Sequence, residues 1–589
     1  MGIFDNWLLA FDETLTRVLG DWDIYSTSIA AILLTLLAYQ VFSRRDPDAH
    51  PMLLARQAQA SATRYHGESP VYRSHSTPHG MGLNTGLNVR DPDTPRWARG
   101  RDGDLRDVWR RVATGSVNKE GQSTGEKGRI LTVLGTEQIV EHDIDNISRD
   151  INIIGHHIRQ KNGQRVAIYL PNSVELLTTL FACAFHGLTP IILPYNQPSA
   201  TIISMLEQAR ADTLIAAVGS VPFDAIVKDY QGLSQLIWVV DEGSKHMDWN
   251  EVPKGTGGSI NVSTWQEIIE DEQPSTSELP LLDIKDKPNS LFAFWQANSG
   301  DVGQLVEYTQ SNLSSAISAQ IFALPVTQRI GLSDLFFPAD SLSTLYTLVV
   351  TLAAMYSNAS LVLNSVSGSD ADIIRSTQGI APTVIVTSAS ALAKVHKETA
   401  SKLNSSFLRA AHWFQTRTLT QDGVMPLASI LTRYNDSRRP AIGTTPGKLR
   451  LVYVAEKAGG QTSPLSSLEL SDLRIFTGAR IIYALTAAKV AGAIAQTGYY
   501  DYRVDESKHS HFGPPVSSVE ILLRDTKEKK TTDDLAAGEV RFPTFIPLSK
   551  RQNMLTVLKI VARGPAVVGG DAALGIIGLI REDHTLAYA

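Results

Sequence analysis

Apolar and polar positions divide the chain into four stretches. From Ile24 to Phe42, "IYSTSIAAILLTLLAYQVF", no residue is charged. At 1.5 Å per residue a helix of this length reaches roughly 28 Å, about one bilayer core, so the run predicts a transmembrane helix. A buried helix of the globular part is the other reading of the same run. Before it, Phe4, Trp7, Leu8, Phe11, Leu15 and Val18 recur at helical spacing. That predicts an amphipathic segment over 1–23, lying on a surface or packing on a partner. After it, residues 43–103 are rich in Pro, Gly, Ser, His and Arg. They read as a polar linker with short ordered pieces such as "HPMLLARQAQA".

The fourth stretch, 104–589, is globular. Short apolar runs such as "RVAIYL", "TPIILPY" and "DTLIAAV" alternate with helical patterns such as "VELLTTLFACAFHGL" and "SATIISMLEQARA". Nearly all-apolar strands between helices predict parallel sheet covered on both faces. The alternation returns in "ASLVLNS", "TVIVTSASALAKV", "KLRLVYVAE" and "GARIIYAL", giving α/β units over about 104–505. From about 506 to 589 the pattern changes to strand, charged turn, strand, which predicts a β-barrel-like module.

Charge adds a direction. Arg44 and Arg45 follow the apolar run, whereas Asp5, Asp12, Glu13, Asp21 and Asp23 precede it with Arg17 alone against them. The positive side of a span faces the cytosol, so the main domain is expected there, on an organelle membrane. The formal net charge of -6 argues against a nucleic-acid partner. The single cysteine, Cys183, allows no internal disulfide and reads as a buried, inert thiol rather than a nucleophile. His50, His66, His75 and His79 lack metal-ligand spacing, and no HExxH, CxxC or Gly-x-Ser-x-Gly pattern occurs.

Several segments, in order, carry a family resemblance: "RVAIYLPNSVELLTTLFACAFHGLTPIILPYN", "DLFFPADSLSTLYTLVVTLAAMYSNASLVL", "FGPPVSSVEILLRD" and "ARGPAVVGG". Residues 104–589 resemble the large N-terminal domain of adenylate-forming enzymes, and within them a long-chain fatty acyl-CoA synthetase. The resemblance implies an α/β fold of two packed, mostly parallel sheets with helices on both faces plus the β module, here preceded by the transmembrane helix. It also implies a chemistry: a carboxylate attacks the ATP α-phosphate, and coenzyme A then displaces AMP.

That chemistry needs a glycine- and hydroxyl-rich phosphate loop with a lysine, a glutamate for Mg²⁺, an aspartate on the ribose and a second lysine from a C-terminal domain. In "SGDVGQLVEYTQSNL" the family's glycine frame survives as Ser299, Gly300 and Gly303, and its end as Thr309, Asn312 and Leu313. The Pro-Lys step is gone, Asp301 and Val302 replace the hydroxyl pair, and Gln310 replaces a histidine. In "YALTA", Tyr483 and Thr486 remain, but Ala487 stands where the Mg²⁺ glutamate belongs. In "LGIIG", Ile576 stands where the ribose aspartate belongs. Gly459 and Gly460 fall near the adenine segment, and Pro338 to Ser341 replace a Pro-x-x-His stretch. The chain ends at Ala589, just past the ribose-site strand, so the C-terminal domain and its lysine are expected to be missing.

The nucleotide-binding set Ser299, Gly300, Gly303, Thr309, Tyr483 and Thr486 therefore reads as vestigial, with no catalytic or metal-binding residue. The leading expectation is a membrane-anchored, inactive acyl-CoA synthetase homologue that binds or scaffolds in lipid handling. It would need no cofactor, take protein partners through 1–42 and accept a fatty-acyl ligand. The alternative is an active or partner-assisted fatty acyl-CoA ligase using ATP and Mg²⁺. A third reading keeps the fold only as a spacer. A short span followed by an arginine pair suits the mitochondrial outer membrane or the endoplasmic reticulum.

Overall fold

The computed structural model describes residues 17, 20 and 23–588, except 43–44, 91–94, 96, 117–122, 135–137, 241–259, 272–278, 281–285, 299, 369–370, 427–437, 446, 461, 506 and 526–557. The amphipathic segment expected over 1–23, Ser299 and most of the charged turn after Asp525 lie outside the described residues.

Three sheets form. The first orders its strands Gln304–Tyr308, Leu291–Trp295, Thr189–Ile192, Arg165–Tyr169, Thr213–Ala217, Gln235–Val239 and Asn261–Thr264. All neighbours are parallel except the hairpin Leu291–Trp295/Gln304–Tyr308. The second orders Ala495–Gln496, Arg480–Thr486, Leu451–Lys457, Val384–Ser388, Leu335–Pro338, Ser360–Asn364, Ile130–Leu134 and Gln138–His142. Its inner pairs are parallel and its two edge pairs antiparallel. Helices Val174–His186 and Leu345–Tyr356 are apolar nearly all round and are buried along most of their length, as a helix enclosed by other elements must be. The first starts on Ser173, whose hydroxyl accepts from the Leu176 N–H at 3.3 Å, and stops at Gly187 in the left-handed conformation. Cys183 is fully buried inside it, and burial pushes its thiol well above the ordinary range.

The third sheet is antiparallel, ordered Ala58–Ala60, Tyr72–Ser74, Glu520–Arg524, Leu558–Arg563, Asp571–Ile580 and Leu586–Tyr588. Its ends curl together: the Gln57 N–H donates to the Asp583 carbonyl at 2.8 Å, and the His584 ring meets the Ala58 carbonyl at 2.6 Å. This is the barrel-like module, and it draws on a part of the chain expected to be a linker. Two of its strands lie within 43–103, where three-residue strands carry no readable alternation and gain their order from partners such as Ile521 opposite Tyr72.

The run expected to span a membrane forms one helix, Ile24–Phe42, of 19 residues. Its side chains are described only to Thr35. Among the described residues no helix is long and apolar enough to cross a membrane. In the described part Ile24, Tyr25, Ile29, Ile32, Leu33 and Leu34 stand exposed.

Candidate functional site

Three of the segments singled out in the sequence converge where the first two sheets approach each other. Loop 296–303 joins the two strands of the hairpin. Gly300 and Gly303 both hold positive φ, at 92° and 77°. At Gly303 a Cβ would also stand 2.5 Å from the Trp295 carbonyl oxygen, so only glycine fits. The loop closes on its own side chain: Gln296 Nε2 donates to the Asp301 carbonyl at 2.5 Å and to Gln197 Oε1 at 3.0 Å. The Asp301 carboxylate stands exposed. The Ala297 carbonyl oxygen lies 3.6 Å from where a Cβ of Gly460 would be, which brings this loop beside the second segment.

Thr309 caps helix Gln310–Ala323. Its hydroxyl accepts from the Asn312 N–H at 3.2 Å, while Asn312 Oδ1 accepts from the Thr309 N–H at 3.0 Å. Asn312 Nδ2 then donates to the carbonyls of Pro565 at 2.7 Å and Val567 at 3.2 Å. Gln310 is buried between the Leu105 N–H at 3.2 Å and the Asn289 carbonyl at 2.7 Å. The Tyr308 hydroxyl donates to the Ala488 carbonyl. These residues tie elements together; their polar groups are already engaged.

Tyr483 is fully buried on strand Arg480–Thr486. Its hydroxyl donates to Glu456 Oε2 at 3.0 Å and accepts from the Leu465 N–H at 3.1 Å. Its ring packs on Phe512 with centroids 5.0 Å apart, and Phe512 meets Tyr588 edge-on, also at 5.0 Å. Tyr588 pairs in register with Gly578 of the strand that carries Ile576. An aromatic row thus runs from Tyr483 to that strand. Thr486 Oγ1 donates to the Glu456 carbonyl at 2.9 Å, and Ala487 is buried. Ile576 is partly buried against the main core.

Glu456 is the residue that sequence reasoning missed. It ends strand Leu451–Lys457, is 2% exposed, and also accepts from Thr462 Oγ1 at 3.3 Å. Burial pushes its carboxyl up to about 7, against the opposing bonds from Tyr483 and Thr462. The signal was a lone acid at the end of the otherwise apolar "LVYVAE", Leu451 to Glu456. Two lysines flank this place: Lys457, in register with Thr486, and Lys489, exposed three residues beyond it. Among the described residues no group of His, Cys, Asp and Glu is placed to hold a metal ion. A cavity of about 180 Å³ lined by Glu141, Asp143, Asp150, Glu175 and Trp265 shares no residue with these segments.

The sequence model of the AMP-binding enzymes matches residues 146–543. The chain belongs to the AMP-binding enzyme family. Solved structures agree on the fold. A long-chain-fatty-acid-CoA ligase from Archaeoglobus fulgidus superposes with a TM-score of 0.55 at 12% identity, covering 86% of this chain and 86% of that one. A benzoate CoA ligase from Burkholderia xenovorans LB400 gives 0.53 at 14% identity, over 83% and 80%. The anthranilate CoA ligase AuaEII, solved with anthranoyl-AMP, gives 0.52 at 15% identity, over 85% and 78%. Among curated proteins no sequence matches the chain. Tyr483 and Thr486 meet at Glu456, whereas Gly300 and Gly303 lie in the hairpin loop and Thr309 at the far end of the strand that follows it. Ile576 lies two residues from Gly578, which pairs with Tyr588 at the end of the aromatic row.

Proposed function

We propose that this member of the AMP-binding family no longer carries out adenylation and acts as a membrane-anchored binding or scaffold protein in lipid handling. The observation that carries the reading is that buried Ala487 follows Thr486 with no side-chain oxygen, while the neighbouring buried carboxylate, Glu456, is engaged by Tyr483 at 3.0 Å. The chemistry points the same way. Ala487 and Ile576 offer no oxygen for a metal or a ribose, and Asp301 at the loop tip repels a polyphosphate. Losing one electrostatic contact costs about 10²–10³ in rate, and here several positions lack theirs together. These residues suit neither ATP nor Mg²⁺. Lys457 and Lys489 favour the second reading, an active or partner-assisted fatty acyl-CoA ligase. Pyrophosphate release with a panel of fatty acids, ATP and Mg²⁺ decides between them. The first reading expects release at the no-enzyme level; turnover well above it supports the second.

The membrane part rests on helix Ile24–Phe42. Its exposed apolar side chains cost free energy in water, at about 25 cal/mol per Å² left uncovered, and lipid relieves that cost. With Arg45 exposed just beyond it, we place the main domain on the cytosolic side of an organelle membrane, the mitochondrial outer membrane or the endoplasmic reticulum. A fatty-acyl chain is the proposed ligand, and residues 1–42 the proposed partner-binding segment.

A further inference from the structure

We propose that helix Ser406–Thr420 lies on the lipid surface beside the anchor, as a second membrane contact of the main domain. The proposal rests on the anchoring reading above and adds a specific lipid-facing element to it.

The helix is amphipathic in an unusual sense. One face carries Ala411, Gln415 and Leu419, all buried, and the helix packs against Ser467–Thr477. The opposite face exposes aromatic rings: Trp413 is 54% exposed and Phe414 58%. Arg409 and Arg417 sit one turn either side of Trp413 on the same exposed stripe. The Arg417 guanidinium lies 5.7 Å over the Trp413 ring, and that ring meets Phe414 edge-on at 5.0 Å. No acidic residue occurs between Ser406 and Thr420. Aromatic rings with arginines that reach past them are the composition of an interfacial helix, whose rings enter the headgroup region while the guanidinium groups stay at phosphate level.

Position decides the occupant. The chain leaving the anchor is pinned beside the end of this helix. The Asp48 N–H donates to the Gly423 carbonyl at 2.9 Å. Asp48 Oδ2 accepts from the Tyr502 hydroxyl at 2.8 Å and pairs with Arg480 at 3.5 Å. Gly423 lies three residues past Thr420, and Asp48 six past Phe42. Six residues span at most about 20 Å, and a helix of fifteen residues is about 22 Å long. A bilayer holding Phe42 therefore lies within about 20 Å of the point where the C-terminal end of this helix is pinned. Arg45, Arg409 and Arg417 complement the anionic lipid of a cytoplasmic leaflet.

The test uses the full chain with Phe414→Cys, labelled with a polarity-sensitive fluorophore; the native Cys183 is fully buried and does not compete. The protein is reconstituted into vesicles of zwitterionic lipid containing a fifth of anionic lipid, and lipid-borne and aqueous quenchers are compared. The proposal expects the protein to float with the vesicles and the lipid-borne quencher to reduce emission more than twofold. Adding Arg409→Glu and Arg417→Glu should lower that quenching. Protein that floats while the label remains open to the aqueous quencher overturns the proposal and leaves the anchor intact. A label shielded from both quenchers means that protein covers the face, which also overturns it. Protein that does not float overturns the anchor and this contact together.

Discussion

Glu456 holds a carboxyl in a place where ionising it is costly. Burial raises it from the ordinary 4.5 to about 7. Between those values the folded protein keeps a proton that the unfolded chain has already released. Stability therefore falls as pH rises through that window and levels off above it. Replacing the acid by Glu456→Gln keeps an acceptor for the Tyr483 hydroxyl and removes the ionisation. We expect the variant to match the native protein near pH 4.5 and to exceed it at pH 8 by about 1–3 kcal/mol. Urea unfolding of both proteins at the two pH values checks this; an unchanged difference across the window contradicts it. Ala487 and Ile576, the residues on which the proposed loss of chemistry rests, can be read directly from the sequence. It did not show Glu456 at work, because its partner Tyr483 is supplied by a neighbouring strand. Gly303 was legible as part of a glycine frame, but its reason, the approach of the Trp295 carbonyl, is a feature of the folded hairpin.

The third sheet gathers elements from both ends of the chain. Gln57 Nε2 donates to the buried Asp501 at 2.5 Å across 444 positions, and Arg503 binds the same carboxylate at 2.8 Å from two nitrogens. Burial pushes the Asp501 carboxyl up, but Arg503 and His511 outweigh it and hold the group well below the ordinary range. Residues 45–74 are therefore part of the domain, and where a truncation begins decides whether it folds. Removing residues 1–44 should leave a cooperatively unfolding protein that stays in the supernatant after alkaline carbonate extraction. Removing 1–103 takes away two strands and the Gln57 contact, and should cost several kcal/mol or abolish the thermal transition. Equal melting of the two truncated proteins contradicts this account of the sheet. The parallel strands were legible because each is a nearly continuous apolar run. Strands Ala58–Ala60 and Tyr72–Ser74 were not, because three residues carry no period and distant partners supply their order.

For the whole molecule, the proposed anchor predicts an orientation. With acids before Ile24 and Arg44 and Arg45 after Phe42, protease added to intact organelles should digest the domain from Asp104 onward and spare an N-terminal tag. A digested tag with a protected C-terminus reverses the assignment. The central claim concerns the nucleotide. Tyr483 is bonded to the buried Glu456 and stacked in a row through Phe512 to Tyr588, and the proposed reading leaves no nucleotide site there. The direct measurement is a calorimetric titration of the full-length protein with ATP and Mg²⁺. The account predicts heats no larger than those of dilution up to millimolar nucleotide. A saturable isotherm in the micromolar range, lost on Lys457→Ala or Lys489→Ala, contradicts it and makes the chain a nucleotide-binding member of its family.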